Sequence, residues 1–312
     1  MGGLQLLFYV SLLVFVIGCA FKAFQLSRMP LHLRWDLYPI PHEKGKGHYG
    51  GSYYEEYEWW NKPAEVSISG ELSEMAKEII FIQSMYHNNR PLWIFSFPFH
   101  FGLYLSIGFV VLAYLGSIMG LADVSVAADS TSVFGLIVYY LTIVFGLAGA
   151  VLGAYGALGL FLSRVFKYEL RATSVWSDYF NLLLIGGVFV TTIWAWATVD
   201  GGFDSAREFA GSLITFSSTA AMAPIAVVHY FLAAVFMLWL PFTHMTHFVG
   251  KYFTYHKVRW EDHPNKQGSD LEAAVNDALG YKIRWAAPHI KSGGTWGEAA
   301  TADDNKEEGK NG

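Results

Sequence analysis

Residues 229–247 read HYFLAAVFMLWLPFTHMTH, three histidines in an otherwise apolar stretch. An imidazole set among hydrocarbon is expensive without a partner, so such histidines are candidates for function. A neutral imidazole is a good axial ligand for haem iron, and the apolar porphyrin faces suit the interior of a helical bundle. If the stretch is one α-helix, the 18-residue spacing of His229 and His247 makes five full turns at about 100° per residue. Both rings then leave one face, about 27 Å apart. Pro241 lies between them, removes a backbone donor and bends that helix. His244 either replaces His247 as a ligand or hydrogen-bonds at the membrane interface.

A bis-imidazole iron needs a second histidine from another helix. His100 is the one histidine inside another apolar stretch, RPLWIFSFPFHFGLYL at 90–105. Pro91 marks where that stretch begins, and His100 lies about two and a half turns further in. His247 lies near the end of its own stretch. Both therefore belong to the same half of the membrane, which permits a cross-helix pair. Arg90 and Lys251 sit at the level where haem propionates emerge, or they are ordinary positive anchors.

The elements that must hold these rings are membrane spans. The 312 residues are 53% hydrophobic, 17% aromatic and only 15% charged, with mean hydropathy +0.31. Five stretches are nearly free of charge and roughly long enough to cross about 30 Å of hydrocarbon: Leu4–Ala20, Leu92–Met119, Val133–Ser163, Tyr179–Val199 and Thr219–Gly250. This predicts an all-α membrane protein with five transmembrane helices forming a b-haem-binding bundle. The spans lack Asp, Glu, Lys and Arg, which argues against an ion-coupled transporter. Polar residues lining several spans, as a solute channel requires, are scarce.

Lys22, Arg28, Arg34, Lys44, Lys46 and Arg90 lie between the first two spans. Arg164, Lys167 and Arg171 follow the third, and Lys251, Lys257 and Arg259 follow the fifth. The other two loops hold only Arg207. The positive-inside rule therefore puts the N-terminus outside and the C-terminus in the cytoplasm. The expected organisation is a first transmembrane helix at 1–27, a cytoplasmic amphipathic loop at 28–90, a four-helix haem-binding core at 91–250 and a cytoplasmic docking tail at 251–312 with a disordered end.

Cys19 is the single cysteine, so no intrachain disulfide and no iron–sulfur cluster can be built. The absence of C-x-x-C-H excludes covalent haem. VIGC at 16–19 resembles a lipoprotein cleavage site, but no positively charged region precedes it, which favours a plain first span. The 28–90 loop is rich in Pro, Gly and aromatic residues, and GELSEMAKEIIFIQSMY at 70–86 reads as an amphipathic helix at the membrane surface. His32, His42, His48 and His87 in that loop read as solvated or partner-contacting. In GLAGAVLGAYGALG at 146–159, the glycines either let helices pack closely or make room for a flat macrocycle. Nucleotide loops, nucleophile constellations and basic nucleic-acid patches are absent from the sequence.

FPFHFGLYL on the second span and HYFLAAVFMLWLPFTHMTHFVG on the fifth resemble the gamma-subunit family of respiratory nitrate reductase, a five-span cytochrome b anchor. HLRWDLYPIPHE and WAAPHIKSGGTWGEAA look like the membrane subunits of heterodisulfide-reductase-like complexes of sulfate reducers, the Tmc and Dsr types. The resemblance covers essentially the whole chain. It implies haem b, with His100 and His247 ligating the haem nearer the inside and His229 a second nearer the outside. It also implies electron exchange between a quinone pool, with menaquinone as carrier, or a periplasmic multihaem cytochrome c and a cytoplasmic iron–sulfur subunit. The setting is the inner membrane.

One position departs from the family pattern. The second-span partner of His229 falls on Val110, which cannot ligate iron. Met119, at a matching level, and Met222 are the nearest soft ligands. The second haem therefore has histidine–methionine or five-coordinate iron. Otherwise it is absent, and His229 is a polar core residue or part of a quinone site. The competing class is a haem-free anchor that assembles other subunits.

Overall fold

A computed structural model describes residues 2–29, 41, 43, 45, 51–63, 65–219, 221–260, 265–287 and 290–302. His32, His42, His48 and the end of the tail lie outside these residues. The helices in chain order are α1 Gly3–Ser27, α2 Ile68–Phe81, α3 Gln83–Asn88, α4 Arg90–Leu121, α5 Val133–Phe166, α6 Tyr168–Thr173, α7 Trp176–Thr198 and α8 Asp204–Thr215. They continue with α9 Pro224–Trp239, α10 His247–Thr254, α11 Asp270–Leu279 and α12 Trp296–Ala300. Among the described residues no β-strand forms, and isolated bridges are the only extended pairing. Five helices are long and apolar enough to span a membrane: α1, α4, α5, α7 and the α9 segment extended to Phe242. The protein is a multi-pass, all-helical membrane protein.

The chain divides into two compact units, one of residues 1–19 and 72–246, the other of 20–71 and 247–312. In the first unit α4 packs on α5, α5 on α7, and α7 on α9. Its core joins Phe99 of α4, Ala150 and Ala157 of α5, and Leu182, Ile185 and Phe189 of α7. Lipid is as apolar as these side chains, so the helices associate through close packing rather than through burial from water. Small residues supply that packing. A Cβ on Gly102 would meet the Gly153 nitrogen at 2.5 Å and the Gly149 carbonyl oxygen at 2.7 Å. One on Gly156 would meet the Phe99 nitrogen at 2.5 Å, and the Phe189 ring lies against Gly153. The glycines of α5 thus serve helix approach and aromatic seating.

The fifth span differs most from expectation. One continuous helix through Gly250 is not formed: α9 stops at Trp239, a 3₁₀ turn covers Leu240–Phe242, and Thr243 is extended at φ −117°, ψ 169°. A second 3₁₀ turn, His244–Thr246, precedes α10. Pro241 has no N–H to donate and its ring crowds the preceding turn. The Thr243 hydroxyl then takes the Leu240 carbonyl at 2.9 Å, while its oxygen accepts from Met245 N–H at 3.2 Å, which stabilises the break. On α1, Gly18 makes room for the proline, whose Cβ would lie 2.5 Å from an added Cβ. The five-turn count from His229 to His247 therefore does not apply.

The segment 200–218, a loop by its charge and glycine content, contains α8. Asp200 accepts from Ser205 N–H at 2.7 Å and from the Ser205 hydroxyl at 2.8 Å, closing the turn into the helix. Phe209, Ala210 and Leu213 are buried along one face of α8, which packs on α4. Gln5 of α1 donates to the Ser212 hydroxyl at 2.8 Å and to the Ser217 carbonyl at 2.6 Å.

In the second unit Tyr255, Trp260 and Ile283 are buried. A π-helical turn, Tyr255–Arg259, follows α10. His256 Nε2 lies 3.3 Å from Glu71 Oε1. The tail pairs Lys282 with Thr295 and Ala287 with Ile290 in isolated bridges. Trp285 and Trp296 stand in ring contact at 6.2 Å, both exposed.

Candidate functional site

His100 is half-buried on α4, with its ring edge-on to Phe99. Its Nδ1 lies 2.7 Å from the Ser96 carbonyl oxygen one turn earlier. A carbonyl only accepts, so Nδ1 carries the proton and Nε2 carries the lone pair. That is the ligating form of imidazole, and a hydrogen bond at the other nitrogen is what fixes ring orientation in metal sites.

His229 on α9 is held the same way by α7. Thr191 Oγ1 donates to backbone carbonyls, at 2.8 Å from Gly187 O and 2.9 Å from Val188 O. Its lone pair then accepts from His229 Nδ1 at 3.1 Å. Thr192 spends its hydroxyl hydrogen on Val188 O at 2.9 Å and stands 3.4 Å from the same nitrogen. Nε2 of His229 is again the lone-pair nitrogen. The TT pair within VTTIW was the sequence signal for this bond, because threonines in a span that bond back to their own helix keep an acceptor to offer.

His247 is the first residue of α10 and is exposed. It belongs to the second unit, whereas His100 and His229 belong to the first. His244 falls in the 3₁₀ turn before it and pairs with Asp178, Nδ1 to Oδ1 at 3.4 Å. Asp178 sits in the first turn of α7 and also accepts from Val175 N–H at 3.0 Å. α7 begins at Trp176, earlier than the span expected from Tyr179, so this span does carry an acid in its first turn. Three residues on, buried Asn181 accepts from the Trp239 indole at 2.8 Å.

Arg90 is the first residue of α4 and lies over the Tyr86 ring at 4.4 Å, also bonding its hydroxyl. Met119 is buried in the last turn of α4. Val110 is 49% exposed and so faces outward from the helices. The polar contacts of His229 run to α7 rather than to Met119 or Met222.

The two imidazoles, each with Nδ1 protonated and Nε2 as acceptor, suit a haem iron by the chemistry of their donor atoms. Among the described residues, no group of three or more His, Cys, Asp or Glu converges, and a bis-imidazole haem does not need one. Against known proteins, the sequence model described as nitrate reductase gamma subunit matches residues 82–261. No curated protein and no solved structure matches.

Proposed function

This chain belongs to the nitrate reductase gamma subunit family, and on that premise we propose that it carries electrons across a membrane as the cytochrome b subunit of a redox complex. The carrying observation is the 2.7 Å bond from His100 Nδ1 to the Ser96 carbonyl, inside the matched region. A haem b bound here supplies one-electron transfer through its iron.

In this reading His100 would hold the iron, with the Ser96 carbonyl keeping the ring from turning. His247 is the proposed second ligand, on the grounds of residue type and position near the end of the fifth span. His229, oriented by Thr191, is the proposed ligand of a second haem, with Met119 as its sequence-level partner. Arg90 is proposed to face a propionate. Buried Phe99, edge-on to the His100 ring, packs on buried Phe189 with ring centroids 6.5 Å apart. Asp178 stands 3.4 Å from His244 where α7 begins.

The proposed arrangement puts the N-terminus outside and the C-terminus in the cytoplasm of an inner membrane, as the distribution of Lys and Arg supports. The organisation 1–27, 28–90, 91–250 and 251–312 is kept as a proposal. Menaquinone or a periplasmic multihaem cytochrome c is the partner on the outer side. On the cytoplasmic side it is an iron–sulfur subunit of heterodisulfide-reductase-like type, of the kind found in the Tmc and Dsr complexes that the sequence resembles. Exposed Trp285 and Trp296 in the tail support a docking role, since aromatic residues are enriched in interfaces.

Reduced-minus-oxidised absorption of the purified chain tests the assignment. A b-type α-band at one haem or more per chain supports it. A chain that purifies folded and without haem is instead an assembly anchor.

A further inference from the structure

α2 was expected to lie on the membrane surface, yet its last turn is fastened to the side of α4. The Trp93 indole donates to the Phe81 carbonyl at 2.7 Å, and the Tyr104 hydroxyl donates to the Ile79 carbonyl at 2.7 Å. The last carbonyls of a helix have no partner within it. α2 ends against Ile82, whose left-handed φ of 51° turns the chain into α3, so two of these carbonyls are satisfied by a neighbouring span.

The position of these anchors is informative. Trp93 and Tyr104 stand about 4 and 21 Å along the axis from Arg90, so the turn they hold lies beside an apolar part of α4. Ile79, Ile80 and Phe81 are exposed at that level, as residues that face lipid are. A carbonyl left unsatisfied in hydrocarbon is costly, so each bond is worth more there than at a wet surface.

The face is informative too. Trp93, Phe97, His100 and Tyr104 follow at i, i+4, i+7 and i+11, one stripe of α4. None of these four is exposed. Two residues further along the same stripe, Ile107 and Val111, are 64% and 60% exposed. Along that stripe His100 lies between the two anchors.

We propose that the last turn of α2 is a membrane-inserted strap that closes the His100 side of the cofactor site, with Trp93 and Tyr104 as its positioning residues. The strap keeps water from the cofactor site on that side. Its role as a wall rests on the reading that His100 holds haem. Its insertion does not.

The test uses the full chain in lipid nanodiscs with Cys19→Ser, and Ile80→Cys as reporter for a charged, membrane-impermeant maleimide. Thr301→Cys, exposed in the tail, sets the aqueous rate. Ile80→Cys is expected to label at least about tenfold more slowly. Adding Tyr104→Phe or Trp93→Phe should raise its rate roughly three- to tenfold, the effect of one ordinary hydrogen bond on an opening equilibrium. The same variants should keep their haem and shift its reduction potential, because water admitted to the site changes the local dielectric, which a merely structural role would not produce. Labelling at the Thr301→Cys rate overturns the strap whatever the haem content. Unchanged labelling and an unchanged reduction potential in both variants also overturn it. Haem retained in His100→Ala overturns the cofactor reading and the wall, while the labelling rates still decide insertion.

Discussion

His229 Nδ1 lies 3.1 Å from Thr191 Oγ1, and that hydroxyl is already committed as a donor to its own helix. The threonine therefore acts as an acceptor for the imidazole, and the ring presents Nε2 as its lone-pair nitrogen. His100 reaches the same state through a backbone carbonyl. Two histidines on different spans, set by different partners, share one protonation pattern.

Thr191→Val removes the acceptor while keeping shape. If His229 holds a haem, affinity for it should fall about 10- to 100-fold, the usual cost of losing a group that orients a metal-ligating histidine. Haem titration of Thr191→Val and of Thr191→Val/Thr192→Val reads this out. The double variant should be the weaker binder, because Thr192 stands 3.4 Å from the same nitrogen.

Gly156→Ala should destabilise the bundle by about 1–3 kcal/mol through overpacking. Its added Cβ would sit 2.5 Å from the Phe99 nitrogen, and a backbone atom cannot swing away. Gly186→Ala is the control, since its Cβ would lie at an ordinary 3.5 Å from Ala157 Cβ. Thermal unfolding in one detergent, followed through the loss of near-ultraviolet dichroism, should separate the two.

Asp178→Ala should lower stability by about 0.5–2 kcal/mol, the typical cost of losing a helix N-terminal acceptor. It deprives Val175 N–H of its partner and removes the ion-pair partner of His244. His244→Ala should cost less, since His244 is 59% exposed and exposed ion pairs contribute little. Comparing the two melting temperatures checks the order.

Arg207→Ala should destabilise more than Arg207→Met. The arginine is buried on α8, its Cδ would lie 2.7 Å from a Cβ on Gly116, and its guanidinium stands 5.6 Å from the Tyr139 ring centroid. Its ion-pair partner Asp204 is largely exposed, so the stem that fills the gap beside α4 matters more than the charge. A difference of about 1–2 kcal/mol between the variants is expected from the lost packing.

The spans were legible because hydrocarbon thickness and charge cost write themselves directly into sequence. The break after Trp239 was not. Pro241 signals a disturbance, but kink or termination depends on whether Thr243 can satisfy the freed backbone groups, which takes the folded geometry to see. α8 was missed for a related reason. A charged, glycine-containing loop hides the spacing of Phe209, Ala210 and Leu213, and Arg207 reads as a surface cation until Gly116 makes room for it. His100 and His229 were identifiable as residue types in spans. Thr191 was signalled only by the TT pair, and the α2 tether was beyond reach, because it depends on which face of a helix meets which neighbour.

The most direct test of the proposed function is haem stoichiometry, with low-temperature electron paramagnetic resonance, on His100→Ala, His247→Ala and His229→Ala in the full-length chain. Loss of the same low-spin bis-histidine signal, and of one haem per chain, in His100→Ala and in His247→Ala is the expected result. His229→Ala should leave that signal in place. Retention of the signal in either of the first two variants would contradict the assignment.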